Sequence, residues 1–321
     1  MRAAVKTSSR IILVLALCLA GTLTACGGGE RTAVDLSDRV DERALRETTV
    51  SPEPGVLRFG FEPRNNVQED ARQYASFLAW LSKATGRRFE LRFLPRNGNI
   101  VDGIGGGRVQ FAAVGAGTFL RMQARYGAIP LVRGRDAAGK TDYRSAIVTP
   151  LRSSVRKIGD LRGKSFAFGA FNSTQGHLIP RILLGGEGVV LRDLSRYEYT
   201  GSHRNCAAAV AAGRFDAGGL QDLLARRFEK DGMLRILEVS PDFPSSGIVS
   251  AREVPEDVRE RVTAALLDFQ PNGRDAAGLY HWDRTEMAGG FVRASESDYA
   301  GLRKWARAFG LLDPTPGGAK R

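Results

Sequence analysis

Asn172-Ser173-Thr174-Gln175-Gly176-His177 lies between an apolar run, Phe166-Ala167-Phe168, and residues 178–184, in which Leu178, Ile179, Ile182 and Leu183 recur at helical spacing before Gly185-Gly186. A buried strand that hands over to a helix through Ser and Thr places two hydroxyls and several unsatisfied backbone N–H groups at one point. Either hydroxyl can cap the helix, and the convergent donors together with the helix dipole favour a bound anion. Gln175 adds a side-chain amide donor. Pro180 complicates the first turn: it has no N–H for the carbonyl of Gly176, so that turn is expected to be irregular. Thr200-Gly201-Ser202-His203 repeats the arrangement after the strand pattern Arg196–Tyr199, with Ser202 as cap and His203 opening an Ala-rich helix. Gly115-Ala116-Gly117-Thr118 does so after residues 109–114.

Other chemistry is poorly supported. Ser173, His203 and Asp216 could be imagined as a hydrolase triad, but Asn172-Ser173-Thr174-Gln175-Gly176 is not a Gly-x-Ser-x-Gly elbow, and Asp216 lies within a strand pattern. Gly134-Arg135-Asp136-Ala137-Ala138-Gly139-Lys140-Thr141 matches the P-loop spacing. A phosphate cradle also needs Lys-Thr to open a helix, and Asp142–Val148 reads as a strand. Gly103-Ile104-Gly105-Gly106-Gly107-Arg108 fails as a dinucleotide fingerprint, with Arg108 in place of the third Gly. The three histidines are far apart and no cysteine or carboxylate spacing suits a metal, so neither metal nor cofactor is expected.

The elements that must position these turns alternate. A strand over 56–61, a helix over 68–85, a strand over 89–94, a short helix over 97–105, a strand over 109–114 and a helix from 119 predict a largely parallel sheet with helices on its faces. Residues 129–133 and 143–149 read as strands joined by a Gly-containing loop. Alternation restarts near Pro150 and runs to residue 251, and residues 255–310 read as mainly helical. In open α/β sheets ligands bind beyond the carboxyl ends of strands. Four polar turns fall there, at 62–66, 115–118, 172–177 and 200–203, and two facing lobes would bring them across one cleft.

The N-terminus reads as a targeting segment. Arg2, Lys6 and Arg10 precede an apolar stretch, Ile11–Ala20, too short for a permanent span, and Leu23-Thr24-Ala25-Cys26 follows. This has the order of a bacterial lipoprotein signal, with residues 1–25 removed and Cys26 lipidated. The Gly-rich, then charged residues 26–54 would be a flexible tether. Loss of the signal lowers the formal charge from +12 to about +9. The basic residues are spread out, with no Lys/Arg run and no interleaved aromatic ladder, which argues against a nucleic-acid partner. Cys206 would then be the remaining thiol, within a helical pattern, so no internal disulfide is expected.

Tyr143-Arg144-Ser145-Ala146-Ile147-Val148, Asp160-Leu161-Arg162-Gly163-Lys164-Ser165, Asn172–Arg181, Tyr199-Thr200-Gly201-Ser202-His203 and the tail Gly290–Tyr299 resemble the phosphate/phosphite/phosphonate-binding proteins of ABC importers. The resemblance covers about residues 56–311. It implies an α/β, two-lobed type II periplasmic binding protein fold, each lobe a mainly parallel sheet flanked by helices, with the ligand in the interlobe cleft. The first lobe would be discontinuous, 55–149 plus 249–321, and the second 150–248. It further implies a monomeric extracytoplasmic lipoprotein, held to the membrane by lipid on Cys26, that delivers a small oxyanion to an ABC permease and its ATPase. By match, Ser173, Thr174, Tyr143 and His203 would hold the phosphoryl group, with Gln175 where the family often has a second Ser. Thr118 and Asn97 would contribute from the first lobe. Phosphoryl oxygens accept hydrogen bonds, so a pocket of hydroxyl, amide and imidazole donors suits them. The acidic residues that hold an ammonium in aminoalkylphosphonate binders fall at Leu223 and in Pro244-Ser245-Ser246-Gly247, neither acidic, which points to phosphate, phosphite or a simple phosphonate. A ligand-sensing lipoprotein that partners a membrane signalling enzyme is the alternative role.

Overall fold

The computed structural model describes residues 55–63, 67–94 and 99–312; the signal, the tether, Cys26 and Asn97 lie outside them. Two sheets organise the body. The first takes strands β1 (Val56–Phe61), β2 (Arg88–Leu91), β3 (Phe111–Val114), β4 (Ile129–Gly134), β12 (Gly247–Ser250) and β13 (Phe291–Arg293), in the order β13-β4-β12-β3-β1-β2. The second takes β6 (Ser145–Pro150), β7 (Ser165–Phe168), β8 (Arg196–Tyr199), β9 (Ala217–Gln221) and β10 (Leu234–Val239), in the order β10-β6-β9-β7-β8.

The sheets are mixed, not mainly parallel as the alternation predicts. β1 pairs parallel with β2 and β3, and β7 parallel with β8 and β9. β12 runs antiparallel between β3 and β4, and β6 antiparallel between β9 and β10. The cause is the chain path: β6 and β12 are each entered directly from the other sheet, with no helical crossover to restore direction. A two-stranded ribbon of β5 (Asp142–Tyr143) and β11 (Phe243–Pro244) joins the halves. The outgoing change of sheet therefore falls at Arg144, not near Thr149. The backbone breaks there because the Arg144 carbonyl accepts from the Gln175 side-chain amide at 2.9 Å and from Asp222 N at 3.2 Å. The segment 134–141 is a self-closed turn: the Asp136 carboxylate accepts from Ala138 N at 2.8 Å and Lys140 N at 2.9 Å, and a strand follows.

Helix α1 (Val67–Thr85) lays Tyr74, Phe77, Leu78 and Leu81 on the first sheet, where Phe77 stacks on Trp282 at 4.7 Å between ring centres. α2 (Ile100–Gly105) and α3 (Ala116–Tyr126) complete that half's early layers. α7 (Glu256–Asp268) and α8 (Ala300–Ala308) close it, whereas residues 269–290 are irregular instead of helical. In the second half α4 (Ile179–Gly186) covers one sheet face, with α5 (His203–Ala211) and α6 (Asp222–Lys230) on the other. Side chains alternate faces along a strand, and β9 presents Gly218 and Gly219 in succession. A Cβ at Gly218 would lie 2.8 Å from Cys206 Sγ on α5, and one at Gly219 would lie 2.4 Å from the Pro180 ring on α4. Cys206 is fully buried, its thiol donating to the Ala167 carbonyl at 3.3 Å, and burial pushes its pKa up to about 12.

Gly219→Val therefore forces the rigid Pro180 ring, and with it the Ser173–Thr174 turn, off the sheet. The expected cost is about 1–3 kcal/mol, read as a lower midpoint in thermal unfolding; an unchanged midpoint would show that the helix can move without penalty.

Candidate functional site

Ser173 caps the second-half turn as its sequence suggests: its backbone is extended and its Oγ accepts from Gly176 N at 2.9 Å. The irregular turn expected from Pro180 is a π turn, Thr174–Leu178, in which Leu178 N reaches the Ser173 carbonyl at 3.1 Å. Pro180 then sits at the start of α4, where a missing N–H is harmless. Two carbonyls lose their helical partners, and both find others. Gly176 O accepts from Gly169 N at 2.8 Å, and Gln175 O accepts from the Ser145 hydroxyl at 2.6 Å. The turn is thus tied to β6 and to the end of β7. It has no room for a side chain at Gly176, where a Cβ would stand 3.0 Å from the His203 ring.

His203 opens α5 behind the Ser202 cap, whose Oγ accepts from Asn205 N at 3.1 Å. Its Nδ1 accepts from Gln221 N at 3.4 Å, which leaves the ring proton of the neutral form on Nε2. Tyr143, Gln175 and His203 come together in the wall of a cavity of about 690 Å³. Thr174 bridges the halves: its Oγ1 accepts from Gly117 N, at the first-half helix start, at 2.8 Å. A hydroxyl that accepts still has its proton to donate. Ser173 instead lines a small cleft of about 20 Å³ with Gly117, Arg121 and His177. Thr118 is fully buried and donates to Glu62 Oε1 at 2.5 Å, while Glu62 Oε2 accepts from Gly115 N at 2.9 Å. An internal carboxylate therefore occupies the start of α3, and the structure places Thr118 on it, apart from the cavity residues.

Asp216 accepts from Ser165 N and Oγ at 2.8 and 2.6 Å, at the end of β7 and β9 opposite to Ser173 and His203, which removes the triad. His177 is structural. Its Nδ1–H donates to the Phe171 carbonyl at 2.7 Å, its Nε2 accepts from Tyr199 at 3.2 Å, and Phe168, Phe171 and Tyr199 enclose the ring. Burial lowers its pKa from the usual 6.5 to about 4. Among the described residues no group of His, Cys, Asp or Glu is placed to hold a metal ion.

The sequence missed two walls of the cavity. Asp70, Gln73 and Tyr74 enter from α1, and Asp283, Arg284, Thr285, Glu286 and Met287 from the irregular segment after α7. Asp70 had a legible signal: it is an acid on the apolar stripe of an amphipathic helix, and it is 2% exposed. The segment at 283–287 had none; it is shaped by Trp282, whose indole N–H donates to the Met287 carbonyl at 3.0 Å. The expectation of a pocket without acidic residues is also corrected. Asp222, one position before Leu223, is buried in the cavity wall, and Ser246 donates to Glu286 Oε2 at 2.5 Å. Asp222 opens α6 beside Leu223, and Glu286 comes from a segment distant in sequence.

The model of a family described as ABC transporter, phosphonate, periplasmic substrate-binding protein matches residues 59–299. The chain belongs to this family. It is 25% identical to the phosphate-import protein PhnD of Mycolicibacterium smegmatis, covering 91% of this chain and 94% of that one. It is 24% identical to a probable ABC transporter phosphite binding protein, PhnD1, of Prochlorococcus marinus, over 79% and 90% of the two chains. The structure of PhnD1 from Prochlorococcus marinus in complex with methylphosphonate superposes with a TM-score of 0.68 at 20% identity, over 80% of this chain and 99% of that one. The fold is that of the type II periplasmic binding proteins. Members of the family bind solutes for transport outside the cytoplasm. Among the described residues no helix is long and apolar enough to cross a membrane.

The His177 pKa predicts a pH dependence of stability. Between about 4 and 6.5 the unfolded chain binds a proton at this site that the folded chain refuses, so stability falls as pH drops through that window, by at most about 3 kcal/mol. Urea titrations at pH 4.5 and 7 should show a smaller difference for His177→Phe than for the parent; equal differences would remove His177 as the cause.

Proposed function

We propose that this chain captures a small phosphorus oxyanion (phosphate, phosphite or a simple phosphonate) and delivers it to an ABC permease, as a monomer held to the membrane by lipid on Cys26. The reading rests on one observation: Tyr143, Gln175 and His203 line one cavity beside the Thr174 turn. Hydroxyl, amide and imidazole donors suit a ligand whose oxygens accept, and the strands of both halves end towards it, as open α/β sheets require. The relatives named for phosphate import and phosphite binding support the ligand class. Ser173 acts by capping the turn, and Thr118 by holding Glu62 at the start of α3. Asn97 remains a candidate contact from the first half. The chain binds and releases its ligand unchanged, in keeping with a family of substrate-binding transport proteins.

Calorimetry with phosphate, phosphite and methylphosphonate tests this. One hydrogen bond to a charged oxygen is worth about 1.5–3 kcal/mol, so Thr174→Val and His203→Ala should each weaken the best ligand roughly 10- to 150-fold. No heat from any oxyanion, or no loss in either variant, would end the reading. Cys26→Ala should move the protein from the membrane to the soluble fraction.

A further inference from the structure

Several carboxylates line the cavity, and the chain itself supplies partners to Asp70, Asp136, Asp142, Asp222, Asp242 and Glu286. Asp142 lies 2.9 Å from Arg133, Glu286 accepts from Ser246, Asp136 accepts from two backbone amides, and Asp70 has an interaction within the chain. Asp222 is the informative case. Its side chain is 9% exposed in the cavity wall, so its charge needs compensation. Arg144 Nε stands 3.9 Å and Arg226 Nε 3.8 Å from its Oδ2, and the residue is the first of α6, where the helix dipole favours an anion. Arg144 Nε also lies 3.3 Å from Asp242, across the two segments that join the halves.

We propose that Arg144 and Arg226 are specificity-determining residues: their guanidinium groups occupy Asp222 as internal substitutes for a ligand cation, so the cavity selects phosphorus oxyanions whose tail is neutral. An ammonium arriving at Asp222 would meet two guanidinium groups already 3.9 and 3.8 Å from its carboxylate. The same carboxylate, without the arginines, would be an ammonium site. The ligand class follows from the arginines, not from a lack of acids. This inference rests on the oxyanion reading above.

The test compares methylphosphonate with 2-aminoethylphosphonate by calorimetry. Wild type should bind methylphosphonate at least tenfold more tightly. Arg226→Gln and the double variant with Arg144→Gln should narrow that ratio stepwise, with the double variant gaining at least tenfold for the amino compound relative to methylphosphonate. Adding Asp222→Asn should cancel the gain, which a general loosening of the cavity would not do. Arg226 is half exposed, so its single variant keeps the test open if the double variant melts. Wild type that prefers the amino compound, or variants that leave the ratio unchanged, would overturn the assignment while the oxyanion reading stood. Silence from every oxyanion would overturn both.

Discussion

One absent N–H sets the geometry of the site. Pro180 cannot close an α turn on Gly176, so the chain widens into a π turn and releases two carbonyls in a place where water cannot serve them. Gly169 and Ser145 take those carbonyls. Ser145 belongs to the strand that enters from the first half, so the turn's shape is fixed by the same segment that joins the halves. The Thr174 hydroxyl then meets Gly117 across the gap. A buried polar group left unpaired costs about 1–3 kcal/mol, and this expense keeps the turn in a single conformation.

The two successive glycines of β9 serve the same end from the opposite direction. They bring α4 and α5 close to either face of one strand, so the turn before α4 and His203 at the head of α5 come so near at Gly176 that a side chain there would not fit. A sheet with ordinary side chains there would hold the two helix starts apart. The mixed sheets follow from the two direct crossings, and the crossings bring Tyr143 and Arg144 to the cavity without any dedicated loop.

Local chemistry was legible in the sequence, and long-range pairing was not. The strand–turn–helix at 165–186, the Ser202 cap and the disturbance at Pro180 depend on neighbours a few residues apart, and each stands as read. Thr118 looked like a ligand donor because its partner Glu62 lies 56 positions away, and no pattern ties the two. Residues 143–149 looked like one strand because the break at Arg144 is made by Gln175 and Asp222, both remote in sequence. The acids of the cavity come from packing that no local pattern marks: Glu286 lies in a distant irregular segment, and Asp70 sits on a helix whose amphipathic pattern draws attention to its apolar members.

Cys206 has a practical corollary. Its sulfur faces the interior of the second sheet, and a thiol held near pKa 12 has almost no thiolate at neutral pH. It is the free cysteine of the described residues. Spectroscopic labels attached through maleimide to cysteines introduced at the surface of each half would meet no competing reactive thiol among the described residues, so distances between the halves could be followed in solution with Cys206 left in place.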